Sequence, residues 1–259
     1  MKKIQFVFIG GKNLGYKSLE FLINNRFMPT CVVPNKDDNG KDNVFCKSII
    51  KLSKKNNIKV IKLTNLYKFI IKKKIDLIFC LGSTQILPKN ILNIPKIGSL
   101  NIHPSLLPKY RGRYSLPHAI FNNEKFTGIT LHWIGSKIDD GKIVCQKKIR
   151  ILDYDTSETL YKKFTNLSFV EFKKIFNKLI SEKAIVSKKT QKANTVYKKK
   201  HFPNFGKINW EWNGKKIYNF IRSMIHEPFY PPEIKIGSKS FFIVSKNYLK
   251  KEKFLKSPK

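Results

Sequence analysis

The feature that most limits what this chain can become is a series of short apolar runs, each followed by a stretch suited to a helix. Residues 4–9 form one such run, and residues 30–33, 59–61 and 77–81 follow it. A continuous apolar run marks a strand covered on both faces, which is the habit of a buried parallel sheet. The stretches between, to about residue 24 and then over 44–55 and 66–73, read as helices. Strands alternating with helices predict an α/β fold with a doubly wound, mostly parallel sheet. Ligands in such sheets sit at the carboxyl ends of strands. Residues 10–15, residues 82–87 and the segment beginning at Asn101 all occupy such ends.

Residues 97–102 are a further apolar run that leads into Asn101-Ile102-His103-Pro104-Ser105-Leu106-Leu107-Pro108-Lys109-Tyr110-Arg111-Gly112. Residues i and i+2 of a strand share a face, so Asn101 and His103 can point into one cleft. Pro104 ends the strand and Pro108 stiffens the loop. An amide donor beside a titratable base suits acyl transfer, because one stabilises an oxyanion and the other moves a proton. Alone, an Asn-x-His pair is weak, and most such pairs are structural.

The longer string is joined by Thr127-Gly128-Ile129-Thr130-Leu131-His132 and Ile138-Asp139-Asp140-Gly141-Lys142-Ile143-Val144. Together they resemble the folate-dependent formyltransferases, densely from residue 77 to 151 and more sparsely at both ends. The resemblance implies a Rossmann-like formyltransferase fold, with a site made by Asn101, His103 and the Asp of an Asp-x-Gly turn. Asp139 and Asp140 are adjacent, so either can face His103; the family pattern selects Asp139. The implied formyl donor is 10-formyltetrahydrofolate. Gln85, Ile86 and Leu87 lie where similar enzymes hold the pterin by backbone groups. Arg113 and the loop Gly135, Ser136, Lys137, Ile138 and Asp139 should lie along the folate. Many relatives carry an Asp-Glu pair where this chain has Ser136-Lys137. Side-chain contacts there are therefore in question, while backbone contacts can persist.

Three acceptors are compatible with this resemblance: a nucleotide-linked amino sugar, as in enzymes making formylated sugars for surface polysaccharides; methionyl-tRNA; and glycinamide ribonucleotide. Tyr110-Arg111-Gly112-Arg113 looks more like the sugar and tRNA enzymes. The tRNA enzymes carry a full C-terminal barrel, whereas only about 50 residues follow Phe205 here, with two recognisable strands. That favours the sugar nucleotide, with tRNA as the alternative. A basic nucleic-acid-binding protein on the same fold is the non-enzyme reading, and an intact Asn101, His103 and Asp139 set speaks against it.

Charge enters at this point. The 259 residues include 52 Lys and Arg against 17 Asp and Glu, a formal +35. Such a balance attracts nucleic acid or anionic surfaces. Only five of these residues are arginine, however, and lysines are spread over nearly the whole chain. Coding bias toward AT-rich codons is the preferred explanation. Phosphate recognition leans on arginine forks, and Arg111 and Arg113 are the ones inside the motif.

The remaining features bound the setting. No apolar run approaches the roughly 18 residues of a membrane span, and no signal peptide is seen at the start. The four cysteines lack paired metal spacing, so reduced thiols in the cytoplasm and no metal are expected. The glycines of residues 10–15 read either as a tight strand-to-helix turn or as a contact for a substrate phosphate. His118 reads as helix surface or packing. His132 reads as structural or, less readily, as a ligand. A helix over 155–181 is expected, with Asp155 as its N-cap. Expected boundaries are a catalytic domain over 1–183, a linker over 184–204, a small helix plus β-hairpin region over 205–250 and a tail over 251–259. Oligomeric state is not readable, with a homodimer one option.

Overall fold

A computed structural model describes residues 4–43, 46–181, 185–188, 195–198, 203–226, 231–236 and 239–243. Strands β1 (Phe6–Gly10) and β3 (Leu77–Leu81) are buried at every residue, which is why their apolar runs become the middle of a sheet. The six-stranded order is β2 (Cys31–Pro34), β1, β3, β4 (Gly98–His103), β6 (Phe126–Trp133) and β7 (Ile143–Arg150). The pairs β1–β2, β1–β3 and β3–β4 are parallel, and β4–β6 is antiparallel. The sheet is thus mostly parallel and flanked by helices, the expected class.

The chain divides into two compact units. The first is Met1–His103, Thr130–Gln146 and Thr165–Thr190. On one face of its sheet, Phe79 meets Phe6 at 5.4 Å and Phe172 at 5.5 Å between ring centroids. Phe172 comes from helix α6 (Ser157–Ile180). The opposite face carries Val7, Ile9, Cys31, Val33, Ile78 and Cys80. They pack against Leu66 and Ile70 of α3 (Leu63–Ile70) and Ile91 of α4 (Lys89–Leu92). Alternate residues of each strand feed the two cores, as the pleat requires.

Local differences from the sequence reading have identifiable causes. Residues 59–61 contribute one bridge, Val32 to Val60, because α3 begins at Leu63 and leaves no room for a ladder. Helix α2 (Ile49–Lys55) starts later than residue 44. Ser48 Oγ accepts from Lys51 N at 3.1 Å, and Asp38 Oδ2 accepts from Ile49 N at 2.9 Å. A carboxylate on orphan amides at a helix start is favourable, so these two residues set the boundary.

The second unit is Pro104–Ile129, Lys147–Phe164 and Gln191–Lys259. Here the first turn of α6 is capped by Thr156 rather than Asp155. Thr156 Oγ1 accepts from Thr159 N at 3.2 Å, and Thr159 Oγ1 accepts from Thr156 N at 2.9 Å. Asp155 instead receives Leu152 N at 2.8 Å and the ammonium of Lys163 at 2.6 Å. Helix α5 (Ser115–Phe121) packs on α7 (Gly214–Met224) through Phe121 and Phe220, whose rings are 5.9 Å apart. The short strand β5 (Arg111–Gly112) pairs in parallel with β8 (Val196–Tyr197). The hairpin β9 (Glu233–Ile236) and β10 (Lys239–Phe242) is antiparallel. Val244, expected at the end of its second strand, lies outside the described residues. Among the described residues no helix is long and apolar enough to cross a membrane.

Candidate active site

The register of β4 creates the site. Its pairing with β3 runs only to Cys80 opposite Asn101, so His103 projects beyond the end of that neighbour. On the other side, β4 meets β6 with Asn101 opposite His132 and His103 opposite Thr130. Directly opposed residues of an antiparallel pair share a face. Asn101, His103, Thr130 and His132 therefore form one polar patch at the carboxyl end of a parallel strand.

Two hydrogen bonds fix the state of His132. Its Nδ1 lies 2.9 Å from the carbonyl oxygen of Trp133, which can only accept, so Nδ1 carries the proton. Its Nε2 lies 3.1 Å from Asn101 Nδ2, which can only donate, so Nε2 presents its lone pair. Burial holds the pKa of this imidazole below its ordinary value, against the opposing pull of Asp139.

Asp139 arrives from the loop after β6. Its φ of 48° is left-handed, a conformation that Asp and Asn tolerate better than most residues. Its Oδ2 lies 3.3 Å from His103 Nδ1 and its Oδ1 lies 3.6 Å from His132 Nε2. Asp140 is turned away, and its Oδ1 accepts from Lys137 N at 3.1 Å. The geometry thus distinguishes the two carboxylates, and it is Asp139 that faces His103. The loop is closed at its base by Trp133 N donating to Lys142 O at 2.9 Å. Gly141 is required there, because a Cβ would collide with the Trp133 carbonyl. His103 is 4% exposed and the Asp139 side chain 13%, so their interaction is screened little by solvent.

The segment after β3 is anchored by Asn35. Its Nδ2 donates to Gly82 O at 2.9 Å and its Oδ1 accepts from Thr84 N at 2.9 Å. The Gln85 side chain is engaged with Pro34 O at 2.8 Å, and Gln85 N donates to Ser83 Oγ at 3.2 Å. Among the described residues, nothing hydrogen-bonds the main-chain N–H of Ile86 or Leu87. Leu87 is buried in the core and Ile86 is 74% exposed. This strip can therefore offer main-chain donors and an apolar side chain to a planar polar ring. Ser136, Lys137 and Ile138 are exposed and Gly135 and Asp139 partly so, which leaves the loop surface accessible. Arg113 belongs to the second unit, with its side chain exposed and its main-chain N–H on Tyr197 O at 2.8 Å.

The glycine turn after β1 is held in part by its own amides. Gly11 N donates to Leu81 O at 3.2 Å and Gly15 N to Gly11 O at 2.9 Å, so these amides are engaged within the protein. His118 is buried, with its ring 4.1 Å from that of Tyr197, and serves packing. His132 is the residue whose place sequence reasoning missed. Strand alternation put it on one face of β6, but only the cross-strand register puts that face on Asn101.

Comparison with known proteins adds four findings. The family profile described as formyl transferase matches residues 6–173, more than half of the chain. The bifunctional polymyxin resistance protein ArnA of Wigglesworthia glossinidia brevipalpis is 36% identical over 229 residues, covering 86% of this chain and 34% of that protein. The chain thus spans about a third of that relative's length. It covers 73% of the methionyl-tRNA formyltransferase of Mycoplasma mycoides subsp. mycoides SC, at 32% identity over 232 residues. Among solved structures, an N-formyltransferase from Helicobacter canadensis, in complex with folinic acid and dTDP-3-aminofucose, superposes with a TM-score of 0.75 at 27% identity. That match covers 92% of this chain and 95% of the other.

Proposed function

The chain belongs to the formyl transferase family, and from that premise we propose that it moves a formyl group from 10-formyltetrahydrofolate to the primary amine of a nucleotide-linked amino sugar. The observation that carries the reading is the convergence of Asn101, His103 and Asp139 at one strand end. As the amine adds to the formyl carbon, negative charge builds on the formyl oxygen. The Asn101 amide and protonated His103 supply the donors that stabilise it. The amine must lose a proton and the folate nitrogen must gain one, and His103 moves that proton. Asp139 holds the ring of His103 through Nδ1. The folate is held by the main chain of Ile86 and Leu87 and by the loop from Gly135 to Asp139.

The choice of acceptor is supported by 27% identity, at a TM-score of 0.75, to an N-formyltransferase solved in complex with dTDP-3-aminofucose. A second reading, methionyl-tRNA, has its own support. Curated relatives of that activity reach 32% identity over 87% of the chain, and a charge of +35 suits a polyanionic substrate. The test is formyl transfer from 10-formyltetrahydrofolate to a panel of nucleotide-linked amino sugars, with methionyl-tRNA in parallel. Turnover with one of the sugars is expected. Turnover with the tRNA alone would replace the acceptor while leaving the chemistry intact.

A further inference from the structure

Two imidazoles flank one carboxylate in this site, and they are not equivalent. His103 meets Asp139 Oδ2 through Nδ1, a nitrogen that can carry a proton toward the carboxylate. His132 meets Asp139 Oδ1 through Nε2, the nitrogen already receiving the Asn101 amide. The charged and titratable groups whose fields reach His132 are Asp139 and, most weakly, Asp140 from the loop and His103 from β4. With Nδ1 held on the Trp133 carbonyl, protonating His132 would add a hydrogen at Nε2. Asn101 would then have to rotate its amide by half a turn and present its oxygen instead.

An asparagine amide is nearly symmetric in shape, so packing alone barely distinguishes its two orientations. A neighbour that only accepts distinguishes them, because the flipped amide would set oxygen against a lone pair. We propose that His132 is the positioning residue of this site: its Nε2 lone pair holds the Asn101 amide with the N–H end inward, so that Asn101 donates rather than accepts. This inference rests on the proposed function for its rate consequence, though not for the tautomer itself. It also distinguishes the two imidazoles: His132 accepts from Asn101 through Nε2, whereas His103 meets Asp139 through Nδ1. Burial of His132, at 1% exposure, supports the neutral ring that this requires.

The first experiment needs no substrate. In protein labelled with 15N at histidine, His132 is expected to show a protonated Nδ1 and an unprotonated Nε2 throughout pH 6–8. An Nε2–H tautomer or an imidazolium at pH 7 would overturn the proposal. The second experiment is a double-mutant cycle in the formyl-transfer assay. His132→Leu is expected to lower kcat by about 10- to 100-fold, with both KM values little changed. His132→Gln, which keeps an acceptor near the same position, should recover part of that loss. In an Asn101→Ala background His132→Leu should cost nothing further. An undiminished effect in that background, or no effect in the wild type, would sink the proposal. If His132→Leu fails to fold, by circular dichroism, the cycle is run with His132→Phe, which also lacks an acceptor, and the same outcomes decide. If Asn101→Ala and His103→Ala both turn over normally, the function reading is what fails, and the tautomer measurement still judges His132.

Discussion

At the carboxyl end of β1 the chain closes on itself, whereas at the carboxyl end of β4 the side chains turn toward one another. Both places sit on the edge of the sheet where α/β proteins bind ligands. The β1 turn has glycines and a following helix, yet its Gly11 and Gly15 amides are bound to Leu81 and Gly11 carbonyls. The β4 end has no glycine cradle. It has an amide, two imidazoles and a carboxylate within 3.6 Å of one another in sequence of contact. Position on the edge permits a site; polar side chains that converge there make one.

The sharpest way to break this contrast is at β4. Asn101→Ala and His103→Ala are each expected to lower kcat by about 100- to 1000-fold in steady-state formyl transfer. Retention of a tenth or more of the wild-type rate by His103→Ala would remove the basis of the proposed chemistry. Asp139→Asn should follow, at about 100-fold. Asn tolerates the same left-handed backbone, so the loss reports charge rather than shape. Asp140→Asn should have a much smaller effect, and equal losses at both positions would erase the distinction between the carboxylates.

The other end of the contrast predicts stability effects without chemistry. A Cβ at Gly15 would lie 2.6 Å from Leu81 O, so Gly15→Ala should destabilise by about 1–3 kcal/mol in urea titration. Activity per folded molecule should be unchanged. A selective loss of kcat there would mean that the turn takes part in catalysis after all. The smallest effect is expected at Asn35, between the two ends. Asn35→Ala removes the bonds to Gly82 and Thr84, each worth about 0.5–1.5 kcal/mol. Loosening residues 82–87 should raise the KM for the folate several-fold and leave kcat nearly alone. A change in kcat without a change in KM would contradict the holding role given to that strip.

What the sequence made legible follows the range of the forces involved. Apolar runs declared β1 and β3, because a strand buried on both faces has little other composition available. The spacing of Asn101 and His103 put them on one face, since strand alternation is a local property. Boundaries set by single side chains were harder: Ser48 and Asp38 start α2, and Thr156 displaced Asp155 as the cap of α6. Register between distant strands was not legible at all. His132 looked ordinary because its importance depends on facing Asn101 across an antiparallel pair, a relation between positions 31 residues apart. The amides of Gly11 and Gly15 likewise needed their carbonyl partners in view before the turn could be understood.

The left-handed backbone at Asp139 narrows the evolutionary routes open to this site. Besides aspartate, the residues at ease in that conformation are asparagine and glycine, and neither brings a negative charge. Glutamate keeps the charge but fits the turn poorly and carries it on a longer arm. Each single replacement thus surrenders either the turn or the charge, so drift at this codon has no gentle intermediate to pass through.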